Sequence, residues 1–326
     1  MIVSRSPLRI SLGGGGTDLP SYSNPYGGFV ISAAIDKYVY VTVSKPFYEG
    51  IRLKYSEIEN VQDVSQIRHG IIREALKIVD ENIRKIEIAS VADIPAGTGL
   101  GSSGSFTTAL LKALMTHFNK PVHAQDIATL ACEIELIKLK EPIGKQDQYI
   151  AAYGGITAFE FCKDGTVLQE NLNLTSSTIH DLEDNLLLFY TGTSRSASLI
   201  LKDQDDKTRM LNKQMVENLH YIKKLGYESK ELLIAGDCIG FGELMNEHWE
   251  YKKSRSVGMT SERINLAYEK ALKNGAIGGK LVGAGGGGFL LFYADDPELL
   301  RKCMQNEGMD EVRFKFDFQG TSVIVS

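Results

Sequence analysis

Glycine is concentrated in three short runs along this chain, and that distribution limits what it can fold into more than any other feature. Residues 93–106 read DIPAGTGLGSSGSF, with four glycines in the eight positions 97–104. Residues 6–22 read SPLRISLGGGGTDLPSY, and residues 280–292 read KLVGAGGGGFLLF. Glycine loses more backbone freedom on folding than any other residue, so dense runs mark places where the chain must turn sharply or approach something closely. Singly, each run could be a hairpin turn or a bulge. Three in one chain suggest several backbones converging on one ligand.

The segments between the runs read as mixed strands and helices. VISAAIDKYVYVTVS (30–44) is β-branched and aromatic, a strand. QIRHGIIREALKIV (66–79) and DIATLACEIELIKL (126–139) carry apolar residues at helical spacing. KIEIASVADI (85–94) alternates as a strand that runs into the 93–106 loop. After the loop, Phe106, Ala109, Leu110, Ala113 and Leu114 predict an amphipathic helix. GGITAFEF (154–161) is a strand. The polar, broken stretch 163–185 places a boundary near residue 175, giving two domains, 1–175 and 176–326. The second opens on the strand NLLLFYTG and continues through three helical segments to Asn274. It ends with strands IGGKLVG and GGGFLLFYA, the helix DPELLRKCMQN, and two terminal strands around VRFKFDF and TSVIVS. This order predicts an α+β fold with helices packed against a mostly antiparallel sheet.

At 326 residues the chain has room for two cores, and 43% hydrophobic with 24% charged residues is ordinary globular composition. A net charge of −5 without a basic run argues against nucleic acid. Four scattered cysteines fit neither a disulfide frame nor a zinc site. The start, MIVSRSPLRI, does not read as a signal peptide, and no apolar run is long enough to span a membrane. A cytoplasmic enzyme with small-molecule partners is the expectation, and a homodimer is compatible with it.

A strand, a glycine loop and a helix make an anion site. The first helical turn leaves unpaired N–H groups, and the macrodipole places positive charge there. Ser102 and Ser103 add hydroxyls where the helix begins, able to cap it or to reach a metal held by phosphates. A plain turn with an N-cap serine would need fewer glycines, so phosphate binding is favoured. No GxxxxGK[ST] string occurs. Gly99-x-Gly101-x-x-Gly104 matches the dinucleotide fingerprint, but that reading also needs a second strand ending in an acidic residue, and 120–140 is helical. A dinucleotide oxidoreductase is therefore the weaker alternative.

The three runs, in this order and spacing, resemble the motifs of the GHMP small-molecule kinases. PAGTGLGSSGSF is similar to that family's P-x-x-x-G-L-x-S-S nucleotide loop, and GKQDQYIAAYGG (144–155) to the galactokinase segment carrying a catalytic aspartate. The likeness covers essentially the whole chain. It implies an N-terminal domain like ribosomal protein S5 domain 2, a ferredoxin-like C-terminal domain, and an active site between them that uses ATP and Mg²⁺. LRISLGGGGTD, GKQDQYIAAYGG and TGTSRSAS (191–198) most resemble the family branch that phosphorylates O1 of a mannoheptose 7-phosphate. Another sugar, of galactose or fucose type, is the alternative acceptor.

The resemblance also implies roles. Pro95, Gly97, Gly99, Leu100, Gly101, Ser102, Ser103 and Gly104 would hold ATP, with Ser103 and Glu135 ligating Mg²⁺. Glu135 is preferred to Glu133 because it lies twelve residues before Asp147, the galactokinase-like spacing. Asp147 would act as the base and Arg9 would stabilise negative charge beside it. Gly16, Thr17 and Asp18 would grip sugar hydroxyls. Arg195, with Lys253 or its neighbour Lys252, would hold the sugar's phosphate, and Gly285 and Gly286 would close over the substrates. Each has an ordinary reading too: a capping carboxylate for Asp147, an edge-strand arginine for Arg9, a polar turn for Thr17-Asp18, a solvated face for KKSR. His248, Trp249, Cys132 and Cys238 read as core.

Overall fold

A computed structural model describes residues 1–193 and 197–326. The chain runs β1 (Ile2–Gly13), α1 (Pro20–Tyr26), β2 (Gly28–Ser44), β3 (Gly50–Lys54), β4 (Ile58–Val61), α2 (Gly70–Asp80) and β5 (Lys85–Ala92). It continues through α3 (Ser102–His117), α4 (Ala124–Cys132), α5 (Gln146–Tyr153), β6 (Ile156–Phe161), β7 (Val167–Asn171), α6 (Ser176–Asn185) and β8 (Leu186–Tyr190). The remainder is α7 (Ala197–Arg209), α8 (Lys213–Ala235), α9 (Cys238–Lys253), α10 (Glu262–Leu272), β9 (Ala276–Leu281), β10 (Phe289–Ala294), α11 (Pro297–Asn306), β11 (Asp310–Glu311) and β12 (Ser322–Val325).

Two sheets result. The first runs β12-β1-β2-β5-β3-β4, with β6 and β7 continuing from β2. Its pairings are antiparallel except β3 on β5. The long β2 holds it together: its first eight residues are buried on both faces, and its second half alternates. The second sheet is β11-β8-β10-β9, all antiparallel. With the helices between β8 and β9 and between β10 and β11, this is the split βαβ, ferredoxin-like arrangement. The expected α+β class is what the chain adopts. One apolar cluster joins the sheets, with Leu8, Ile10 and Leu12 of β1 in the same core as Phe241 and Met245 of α9 and Leu291 of β10.

Several elements differ from the sequence reading, each for a local reason. VRFKFDF forms no strand beyond Asp310–Glu311. It crosses between the sheets, giving the Val312 N–H to Leu188 O and the Asp317 N–H to Ala34 O, so no single neighbour ladders it. The terminal strand β12 pairs with β1, closing an edge of the first sheet, and does not join the second. Among the described residues four helices, not three, lie between β8 and β9. The α3 helix is buried on most sides, not amphipathic. Its Ser105, Thr107 and Thr108 hydroxyls return hydrogen bonds to carbonyls one turn back, at 3.1, 3.0 and 3.0 Å. The helix expected over 126–139 winds into a π-helical turn at Glu133–Lys138, a feature common at functional sites. Among the described residues no helix is long and apolar enough to cross a membrane. Cys132, Cys238 and Trp249 are buried, as read.

Candidate active site

The nucleotide-type loop joins β5 to α3. Gly97, Gly99 and Gly101 sit at φ +80°, +86° and +77°, a region that disfavours any side chain, so here the glycines are required by the turn itself. Leu100 is fully buried and anchors the loop, and its carbonyl accepts the Arg9 N–H at 3.0 Å. Pro95 O accepts the Thr98 hydroxyl at 3.0 Å. The third glycine run backs the loop: a Cβ on Gly283 would stand 2.5 Å from Gly99 O. Gly97, Ser102 and Ser103 remain open at the surface side, beside the unpaired N–H groups of α3's first turn.

Asp147 opens α5 and faces that turn. A Cβ on Gly104 would lie 2.9 Å from the Asp147 Cβ, so the missing side chain lets the two helix N-termini touch. Arg9, 5% exposed, holds Asp147 with a two-pronged bond: Nε to Oδ1 at 2.7 Å and Nη2 to Oδ2 at 2.9 Å. Its Nη1 donates to Gly99 O at 2.6 Å, tying the pair to the nucleotide loop. Arg9 reaches this position from a strand whose register slips at Pro7, where the absent N–H cannot serve a ladder. Asp147 keeps 27% of its side chain open to the cleft.

Below the loop, Ser103 donates to Glu135 Oε2, and Gln148 Nε2 donates to Oε1 at 3.1 Å. Glu135 is 1% exposed, and burial pushes its carboxyl up from the usual range. The π turn carries it inward, while Glu133 points outward to Lys138. Ser103 and Glu135 thus form a pair of hard oxygen donors at the helix N-terminus.

The first glycine run ends in Asp18, which accepts from the backbone of Gly16 at 3.1 Å and of Gln146 at 3.2 Å. The Gln146 amide also donates to it at 3.2 Å. Burial, then the Asp147 charge, pushes the Asp18 carboxyl up. Gly144 has room for no side chain, since its Cβ would run into the Asp18 carboxylate. Thr17 does not face the cleft. Its hydroxyl lies 2.9 Å from both Gly14 O and Phe29 O and accepts the Phe29 N–H, so it sews the loop to β2 instead of gripping a sugar.

Arg9, Gly16, Asp18, Gly144, Gln146 and Asp147 line a cleft of about 820 Å³, mouth included, whose far wall is formed by α9 and β9. The expected cation Lys253 is not in it: its ammonium pairs with Glu250 at 2.7 Å and lies over Trp249. One residue earlier, and roughly 100° round the helix, Lys252 does line the cleft, with Arg255 and Lys280. Gly285 and Gly286 also lie off it. A Cβ on Gly285 would strike Met259 Sδ, and Gly286 N–H donates to Met259 O at 2.8 Å; Gly283 and Ala284 form the wall. Arg195 lies outside the described residues. Gln146, Gln204, Arg255 and Lys280 were not found from sequence. For Lys280 a signal existed, a lone lysine inside the otherwise apolar strand AIGGKL. The dinucleotide alternative finds no support, because helices α3 and α4, not a second strand, follow the loop.

Comparison with known proteins places the chain in a family. Residues 70–155 match the GHMP kinases N terminal domain, and residues 229–310 the GHMP kinases C terminal domain. The chain is 30% identical, over 98% of its length and 97% of the relative's, to a D-glycero-alpha-D-manno-heptose 7-phosphate kinase of Campylobacter jejuni. It is 27% identical to a galactokinase of Pyrococcus furiosus over 99% and 97% of the two chains. A crystal structure described as a D-glycero-D-manno-heptose 1-phosphate kinase of Bacteroides thetaiotaomicron superposes with a TM-score of 0.84 at 26% identity, covering 100% and 99%. Full-length likeness of this kind, with both family domains matched along a chain that carries a glycine-rich loop, a Ser103–Glu135 pair and an arginine-clamped aspartate, leaves one conclusion: the chain belongs to the GHMP kinases, a family of ATP-dependent phosphotransferases.

Proposed function

We propose that this enzyme transfers the γ-phosphoryl group of ATP to the anomeric O1 of D-glycero-D-manno-heptose 7-phosphate, giving the 1,7-bisphosphate for nucleotide-activated heptose. The observation that carries the chemistry is Asp147, fixed by Arg9 yet open to the cleft, beside the first turn of α3. The chain-length likeness to a kinase named for that substrate supports the acceptor. We also take the first half to give way to the ferredoxin-like half near residue 175, with the last strand, Ser322–Val325, returning to the first sheet.

Residues 97–104 hold the triphosphate through backbone N–H groups. Asp147 accepts a hydrogen bond from the O1 hydroxyl and aligns it, and takes its proton as the oxygen bonds to phosphorus and the bond to ADP breaks. Arg9 orients Asp147 and offsets charge that develops in the transition state. Gly16 and Asp18 contact the sugar hydroxyls. The Ser103–Glu135 pair suits Mg²⁺: the partners of this buried carboxylate are neutral, and hard oxygen donors are what that ion takes. Mg²⁺ bound there would neutralise phosphate charge.

The test is ADP release with ATP and Mg²⁺ over mannoheptose 7-phosphate, mannoheptose, mannose 6-phosphate, galactose, fucose, homoserine and mevalonate. Preference for the heptose phosphate, with the new phosphate on O1, is the expected result. Turnover of an unphosphorylated acceptor alone would keep the kinase and reject the acceptor.

A further inference from the structure

Among the described residues four cationic side chains enter the cleft, and one of them, Arg9, is spoken for by Asp147. The other three are held by neutral groups. Lys252 Nζ donates to Leu281 O at 2.7 Å and Gly283 O at 2.5 Å. Arg255 donates to Gly15 O and to Asn218 Oδ1, both at 3.0 Å. Lys280 Nζ donates to Leu12 O at 2.5 Å. Arg255 is 7% exposed and Lys280 6%. Burying charge is costly unless it meets an opposite charge. The strain shows in the ammonium groups: burial and mutual repulsion push Lys280 down to about 7 and Lys252 well below its ordinary value. Arg255 alone of the three feels a nearby carboxylate, that of Asp18, and the surplus of positive charge suits the entry of a multiply charged anion.

We propose that Lys252, Arg255 and Lys280 together bind a phosphate group already present on the acceptor, making the enzyme selective for phosphorylated sugars. This rests on the sugar-phosphate reading above and names the residues behind it. Two of the three anchor on the first glycine run, at Leu12 and Gly15, beside the sugar-gripping Asp18 and away from the nucleotide loop. A Cβ on Gly16 would stand 2.5 Å from Arg255 Nη1, so that loop is cut to admit the guanidinium. A phosphate dianion would give both lysines an opposite charge to bond and would offset the surplus left on Arg255 beside Asp18, and Arg and Lys suit it as fork and point charge.

The cluster is tested with Lys280→Met and Arg255→Met, measuring kcat/KM for mannoheptose 7-phosphate and for mannoheptose, and KM for ATP. Lys280→Met removes a buried charge and so should fold even if Arg255→Met does not. For wild type we expect preference for the phosphorylated sugar. Each variant should lower the phosphorylated-to-plain ratio by roughly ten- to a hundredfold, the effect of one charge-assisted bond. Equal losses on both sugars, or a KM for ATP that rises as much as that for the heptose phosphate, would overturn the proposal while leaving the kinase reading intact. A wild-type enzyme indifferent to the phosphate would remove the acceptor assignment and the cluster's role together.

Discussion

Replacing Asp147 with asparagine probes the centre of the mechanism with little change of shape. The carboxylate accepts both prongs of Arg9, at 2.7 and 2.9 Å. An amide offers one acceptor oxygen, and its NH₂ would face the second N–H of the guanidinium, donor against donor. Arg9 would keep its bond to Gly99 O, so the nucleotide loop should stay in place. The pair lies between an exposed one, worth less than about 1 kcal/mol, and a sealed one, whose rupture costs about 3–5 kcal/mol. The Asp147 side chain is 27% open and that of Arg9 6%, so a stability loss of about 1–2 kcal/mol is expected. The rate should suffer much more. Loss of a positioned proton acceptor costs about 10²–10⁴ in kcat, or about 2.7–5.4 kcal/mol of barrier. Steady-state ADP release, calorimetric ATP binding and thermal melting, read side by side, separate these effects. A variant with kcat within about threefold of wild type and a normal melt would refute the role assigned to Asp147.

Other perturbations follow from the same geometry. Glu135→Gln should raise the Mg²⁺ concentration for half-maximal activity by about ten- to a hundredfold with the fold intact, checked by Mg²⁺ titration of turnover. Gly144→Ala would drive a methyl into the Asp18 carboxylate, so acceptor KM should rise about tenfold or more with ATP KM little changed; equal effects on both would count against Asp18 as a sugar contact. Lys280 gives a pH test: it binds its proton less well folded than unfolded, so between about 7 and its ordinary 10.5 the unfolded chain holds the extra proton. Stability without ligand should therefore rise with pH across that window, and Lys280→Met should flatten the slope in denaturant titrations.

Part of the candidate site was readable because glycine at positive φ leaves a plain trace. Gly97, Gly99 and Gly101 announce a tight glycine-rich loop from sequence, and the structure puts all three where only glycine is comfortable. Asp147, Arg9 and Glu135 came through family likeness, since a lone carboxylate or arginine carries no spacing signal of its own. The cations were harder. Lys252 and Lys253 are neighbours in sequence, and only the rotation of α9 against β9 decides which faces the cleft. Thr17 reads like a sugar ligand because backbone demand for its hydroxyl, from Gly14 and Phe29, is a tertiary fact. The final strand was legible as a strand, but its partner lies some three hundred residues away, beyond the reach of local pattern.

That pairing has a further meaning. Val325 lies opposite Val3, so the two ends of the chain run side by side along one sheet edge, and the ferredoxin-like half is threaded as an insertion into the first. A circular permutant that joins Ser326 to Met1 and opens the exposed turn at 163–166 should keep every contact of the cleft. A fragment stopping near residue 175 should not, because β1, which presents Arg9, would lose its outer neighbour. The site is assembled by closing an edge, whatever the order in which its three loops leave the ribosome.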